Sequence, residues 1–251
     1  MTHRAIVSVL ILLFSAGFCQ AQGNKVAQDV SEDDKPFLLN YPNIEDSDGR
    51  VVLTNDIVVL QRLVVPAGMW EGHHSHPGNQ IYVHIHGGYW SGRLGGEIVY
   101  ADEYSEDGAV GWMDVIPMSA GHDSGNTGDT DIDLIYVTLK TDAPVSPGAR
   151  HAPQAFPNVE TELLLDNDRM IVQRVRLNPG EWTGEHGRPG NQVYVVVEGG
   201  TWAERRGSAQ SDPSTWPAGA VGWLDAIDSG EAYQIGNVGE TTIGYVLVTI
   251  K

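Results

Sequence analysis

The chain has 251 residues, 41% of them hydrophobic and 19% charged, with 30 glycines and a formal charge of −18. This composition suits a packed globular protein and excludes a disordered one. The acidic balance argues against nucleic acid and anionic lipid surfaces as partners, and the length allows one large domain or two of about 100–150 residues.

Residues 1–21 read as a secretory signal peptide. His3 and Arg4 precede an apolar run from Ala5 to Phe18, and Ala21 is a small residue at the expected cleavage point. The run is short for a membrane span, and an uncleaved anchor is the competing reading. Cys19 is the one cysteine and would leave with the signal, so disulfide and thiolate chemistry are not expected. The expected location is periplasmic or secreted, with no membrane association after cleavage. Residues 22–49 are acidic and weakly patterned, and read as an N-terminal arm or strand that crosses to the other half.

The remainder repeats itself. Asn55, Gln61, Gly68, Trp70, His74, Pro77-Gly78-Asn79-Gln80 and Trp90 recur as Asn167, Gln173, Gly180, Trp182, His186, Pro189-Gly190-Asn191-Gln192 and Trp202, at a constant offset of 112. After a one-residue deletion, Ala109-Val110-Gly111-Trp112 recurs as Ala220-Val221-Gly222-Trp223. Duplication predicts two domains, 50–140 and 159–251, joined by a Pro- and Ala-rich linker over 141–158. Both halves carry short β-branched and aromatic runs separated by Gly, Pro, Asn and Asp, and no stretch sustains a helical period. The fold class read from this pattern is all-β.

The first half concentrates its histidines. His74 and His76 lie two apart, so on extended backbone they face one side. Gln80 opens the next strand after a Pro77-Gly78 turn, and His122 can reach the same point from a distant strand. Imidazole and amide donors suit a borderline divalent transition metal: Fe, Mn, Ni or Zn. The competing reading makes these histidines polar core or turn residues.

Gly68…His74-x-His76…Gln80 resembles the first cupin motif, with Gln where Glu is frequent, and Gly111…Pro117…His122-x-x-x-Asn126 resembles the second. The resemblance covers nearly all of the chain after residue 21. It implies two tandem jelly-roll β-barrels, a bicupin, with one metal held by His74, His76, Gln80 and His122. It also implies a homodimer.

The second half lacks that set. His186 and Gln192 persist, but Arg188 replaces His76 and Tyr233 replaces His122. A guanidinium would repel a cation, so no metal is expected there. His186, Arg188, Gln192 and Tyr233 form either a second pocket for a carboxylate or a closed remnant.

Four neutral ligands would leave a strongly Lewis-acidic ion, suited to a small anionic ligand such as a carboxylate beside a hydroxyl or carbonyl. Strand alternation puts Tyr82, His84 and His86 on the side of Gln80. His84 is then the candidate general acid/base, with Tyr82 beside it; both could equally be structural, and Tyr194 in the metal-poor half favours that for Tyr82. Trp70, Trp90 and Trp112 recur and read as core or interface. Three function classes stay open. They are a redox-neutral isomerase, lyase or hydratase acting on a small carboxylate or sugar acid; an Fe(II) dioxygenase; and a non-catalytic binding or sensor protein.

Overall fold

The computed structural model describes residues 30–44, 50–140, 152–188, 190–227 and 233–251. The signal segment 1–21 and most of the expected linker lie outside these. Among the described residues the helical elements are short 3-10 turns, Lys35–Phe37 and Met118–Ala120, and the rest is strand and loop.

The first half contains β1 (Arg50–Thr54), β2 (Val58–Val65), β3 (Gln80–His86), β4 (Gly88–Leu94), β5 (Glu97–Ser105), β6 (Val110–Met113), β7 (Asp123–Asn126) and β8 (Ile132–Leu139). They form a sheet β1-β2-β8-β3-β6 and a smaller sheet β5-β4-β7, with antiparallel pairing throughout. The second half contains β9 (Thr161–Asp166), β10 (Met170–Leu177), β11 (Gln192–Glu198), β12 (Gly200–Arg206), β13 (Ala209–Gln210), β14 (Ser214–Trp216), β15 (Val221–Leu224), β16 (Gln234–Asn237) and β17 (Ile243–Ile250). Its sheets are β15-β11-β17-β10-β9 and β13-β12-β14, with β16 also on β12. Each half is a two-sheet jelly roll.

Strand alternation sorts the apolar residues into three cores. In β3, Ile81, Val83 and Ile85 face away from the first barrel; in β8, Ile135, Val137 and Leu139 do the same. They meet Met170, Val172, Val193, Val195, Val246 and Val248 of the second barrel in one shared cluster. The opposite faces fill the barrels, with Leu63, Val65, Leu134 and Tyr136 in the first and Val175, Leu177, Tyr194 and Leu247 in the second. The large sheets are therefore buried on both faces. This explains why β8 and β17 read as nearly continuous apolar runs rather than alternating ones. Arg174 spans the seam, donating to Glu106 and to the Gly108 carbonyl of the first barrel.

A strap precedes each barrel. In the first, Leu39 donates its backbone N–H to Gln61 Oε1 (2.8 Å) while Gln61 Nε2 donates to the Leu39 carbonyl (3.2 Å). In the second, Gln173 holds Gln154 in the same way, at 2.7 and 3.0 Å. Residues expected to cross to the other half instead seat Leu39, Tyr41 and Ile44 inside their own barrel's core. Residues 154–158, read as linker, are the second strap, with Phe156 in that barrel's core. The buried glutamine side chains fix this docking together with the apolar strap residues, because they satisfy backbone groups that no strand pairs.

Candidate metal centre

The extended segment 70–76 runs antiparallel to 116–125 through isolated bridges, Trp70 with Gly125, His74 with His122, and His76 with Ile116. The His74 N–H donates to the His122 carbonyl at 3.1 Å and the His76 N–H to Ile116 at 2.9 Å. Bridge partners project to the same side, so this pairing brings three histidines separated in sequence to one point. All three are buried, and their ring nitrogens lie within 4.8 Å of one another.

The hydrogen bonds define which nitrogens converge. His74 Nδ1 donates to the Gly72 carbonyl at 2.8 Å. His76 Nδ1 lies 2.8 Å from Gln80 Oε1, whose amide group donates to Thr138 Oγ1 at 2.7 Å. Both Nδ1 atoms therefore carry the proton, leaving the Nε2 lone pairs of His74 and His76 to face each other at 3.0 Å. Two acceptors at that distance repel unless a cation lies between them. Burial holds His74 at a pKa of about 3 and His76 at about 4, with the neighbouring imidazoles adding to both shifts, so neither ring supplies that cation as a proton. Burial also lowers His122, against the pull of Asp123. Its Nε2 faces Ser124 Oγ at 3.2 Å. Donors 3.0 Å apart suit two imidazoles each about 2.1 Å from a common ion. His74, His76 and His122 fit a divalent transition metal.

Gln80 is placed differently from its expected role. Its oxygen lies 2.8 Å from His76 Nδ1, whereas the Nε2 of that ring is the atom that faces His74. Gln192 makes the same bond to Thr249 Oγ1 in the second barrel, at 3.0 Å. Asn126, part of the second motif, ties the turn before β8 by donating to the Val65 and Thr130 carbonyls, and Asn237 repeats this with Leu177 and Thr241.

A cavity of about 420 Å³ opens beside the cluster, lined by His76 and His122 with Tyr82, His84, Tyr100 and Tyr136 among others. Tyr82 and His84 thus both face the interior, as alternation predicts. His84 is buried between Tyr82 and Trp90, and its Nδ1 has no hydrogen-bond partner. Burial lowers its pKa to about 4 despite Asp107, so the ring is neutral. Burial raises Tyr82, and Glu103 adds to that, so its hydroxyl stays protonated. Gly111 makes room for Tyr82, since a Cβ there would sit 2.2 Å from its Oη. His86 does not join them. A register shift between His84 and His86 turns it outward to Asp107, at 3.3 Å.

Two further residues escaped the sequence reading. Glu71 is 1% exposed, both its carboxylate oxygens lack a hydrogen-bond partner, and Oε2 lies 3.6 Å from His74 Nε2. Burial, with Asp123 nearby, pushes its carboxyl well above the usual range. The signal that would have found it is the repeat itself, which puts Thr183 at the matching position. The other is Trp216. It pairs with Gly200 as Ser105 pairs with Gly88, so the two occupy equivalent places.

Among the described residues the second barrel is closed. Trp216 stacks on Tyr194 at 4.5 Å and lies 4.1 Å from Trp202, while Phe156 covers His186 at 4.6 Å. Around His186, Gln192 and Tyr233 only about 10 Å³ stays free, less than a ligand needs. The second pocket considered from sequence is therefore filled. Arg188 lies over Tyr233 at 4.7 Å from the ring centre.

No protein-family model matches the chain, nor does any curated protein. Solved structures do. AerE from Microcystis aeruginosa aligns with 86% of this chain and 99% of its own, at 12% identity and a TM-score of 0.57. At that identity the likeness shows the fold alone, two tandem jelly-roll barrels, the architecture that the cupin resemblance implied. A Cupin 2 conserved barrel domain protein from Leptotrichia buccalis aligns over 80% of this chain and 86% of its own, at 13% identity and TM-score 0.47. A salicylate 1,2-dioxygenase from Pseudaminobacter salicylatoxidans aligns over 77% and 71%, at 12% and 0.48.

Proposed function

We propose that this tandem cupin is an exported metal-dependent enzyme, with one divalent transition metal in the first barrel and redox-neutral chemistry on a small carboxylate. The observation that carries this is the pair of unprotonated Nε2 atoms of His74 and His76, 3.0 Å apart and buried beside an open cavity. When bound, the metal would supply a Lewis acid for a substrate oxygen.

The surrounding residues favour proton transfer. His84 is neutral and its ring lines the cavity, so it can take a proton from a substrate and return it elsewhere. Tyr82 holds its proton and can donate a hydrogen bond to a substrate oxygen. Among the described residues no Lys or Arg lines the cavity, and Glu103 is its acidic residue. A substrate carboxylate therefore has no side-chain counter-charge in the wall and belongs at the metal. Isomerisation, elimination and hydration all need this pairing of an oxygen-polarising centre with a proton-transfer group.

Metal analysis of untagged protein tests the reading. One equivalent of transition metal is expected, lost in His74→Ala and His122→Ala and kept in His186→Ala. Protein without stoichiometric metal would overturn it. Oxygen uptake during turnover would move the activity to the oxidative class.

A further inference from the structure

We propose that Glu71 supplies the carboxylate ligand of the metal centre and that Gln80 is a positioning residue for His76. This rests on the reading of the first barrel as a metal site.

Glu71 is a fully buried carboxylate with no donor to either oxygen. Its nearest polar neighbour in the cluster is His74 Nε2, at 3.6 Å. That nitrogen is a lone pair, because the proton of His74 sits on Nδ1 against the Gly72 carbonyl. At 3.6 Å the carboxyl and that lone pair form no hydrogen bond, so both are left unsatisfied in a dry site, an arrangement that is costly without a cation between them. The separation is compatible with two donors about 2.1 Å from one ion.

The two halves separate the ligand from its support. Where His76 and His122 give way to Arg188 and Tyr233, Glu71 gives way to Thr183. Thr183 is satisfied, donating to the Gly184 carbonyl and accepting from the Ile235 N–H. Gln80 behaves oppositely. It survives as Gln192 with its threonine partner in the barrel that keeps only one of the three histidines. The Gln–Thr contact thus survives where the imidazole cluster does not, whereas the buried carboxylate is lost together with two of its three imidazoles.

Position within the site agrees. The cavity is bounded by His76 and His122, whereas His74 and Glu71 lie behind them, away from its lining. Glu71 is therefore out of a substrate's reach, and its place is at the ion rather than in proton transfer. A carboxylate there lowers the net charge of the loaded centre by one relative to four neutral ligands.

Cobalt(II) titration of chelator-stripped full-length protein tests this, read by d–d absorption and by competition with a chromophoric chelator. Glu71→Gln and Glu71→Thr should weaken cobalt binding by about tenfold or more and change the absorption spectrum. Gln80→Leu should weaken binding less and keep the wild-type band pattern. Melting adds a readout that a merely structural role would not move. Without metal, Glu71→Gln should melt higher than wild type, because a carboxylate lacking donors is gone; with metal the order should reverse. Wild-type affinity and spectrum in both Glu71 variants would overturn this inference alone. Failure of the wild type to bind any divalent ion would overturn the metal site as well.

Discussion

At the scale of single residues, the histidines tie stability to pH. His74, His76 and His84 are neutral in the fold, with pKa values of about 3, 4 and 4, against about 6.5 in the unfolded chain. Between those values the unfolded chain binds more protons, so stability is full above about pH 6.5 and falls as pH drops toward 4. Metal-free protein should therefore lose several kcal/mol across this window, on the order of 3 kcal/mol per residue at most. Urea melts at pH 7, 5.5 and 4.5 would show it, and flat midpoints would contradict it. His84→Gln should keep the metal while turnover falls about 100-fold or more; metal content and kcat measured together check this. Gly111, Tyr82 and Asn126 show how far residue identity was legible. The motif spacing picked out His74, His76 and His122, and alternation aimed Tyr82 and His84 inward. Gln80 resisted, because the choice between ligand and orienting group depends on which atom its oxygen meets.

At the scale of elements, one strand position distinguishes a working barrel from a closed one. Ser105 ends β5 beside Gly88, while Trp216 ends β14 beside Gly200 and fills the space with its indole. Ser105→Trp should therefore block ligand entry in the first barrel while leaving metal content intact. Retained activity with small substrates would speak against it. The straps are the second element-scale device. Gln61→Ala would leave the Leu39 N–H and carbonyl buried without partners and should cost about 2–3 kcal/mol, read as a lowered denaturation midpoint. Neither device was visible from periodicity. The straps carry no strand pattern of their own, and although Ser105 and Trp216 share the 111-residue offset of Ala109 and Ala220, only strand register shows where that indole goes.

For the whole molecule, the apolar cluster shared by the two barrels should make them unfold as one unit. Val83, Ile81, Val193 and Val248 are fully buried between them, and each contributes about 1.5–3 kcal/mol by leaving water. Val83→Asp should separate or unfold the halves together, and calorimetry of the wild type should show a single transition. Two resolved transitions would mean independent domains. The sequence by itself determined the duplication, the β-class of both halves, and the inequality between a half with three clustered histidines and a half without. Those features are local or periodic, and strand geometry has only two faces to offer. Tertiary structure alone decided that Glu71 meets His74, that Gln80 turns to His76, and that the straps close their own barrels. It also decided that Trp216 closes the second pocket. Each of these depends on where a side chain ends after distant segments pair, and no spacing along the chain encodes that distance.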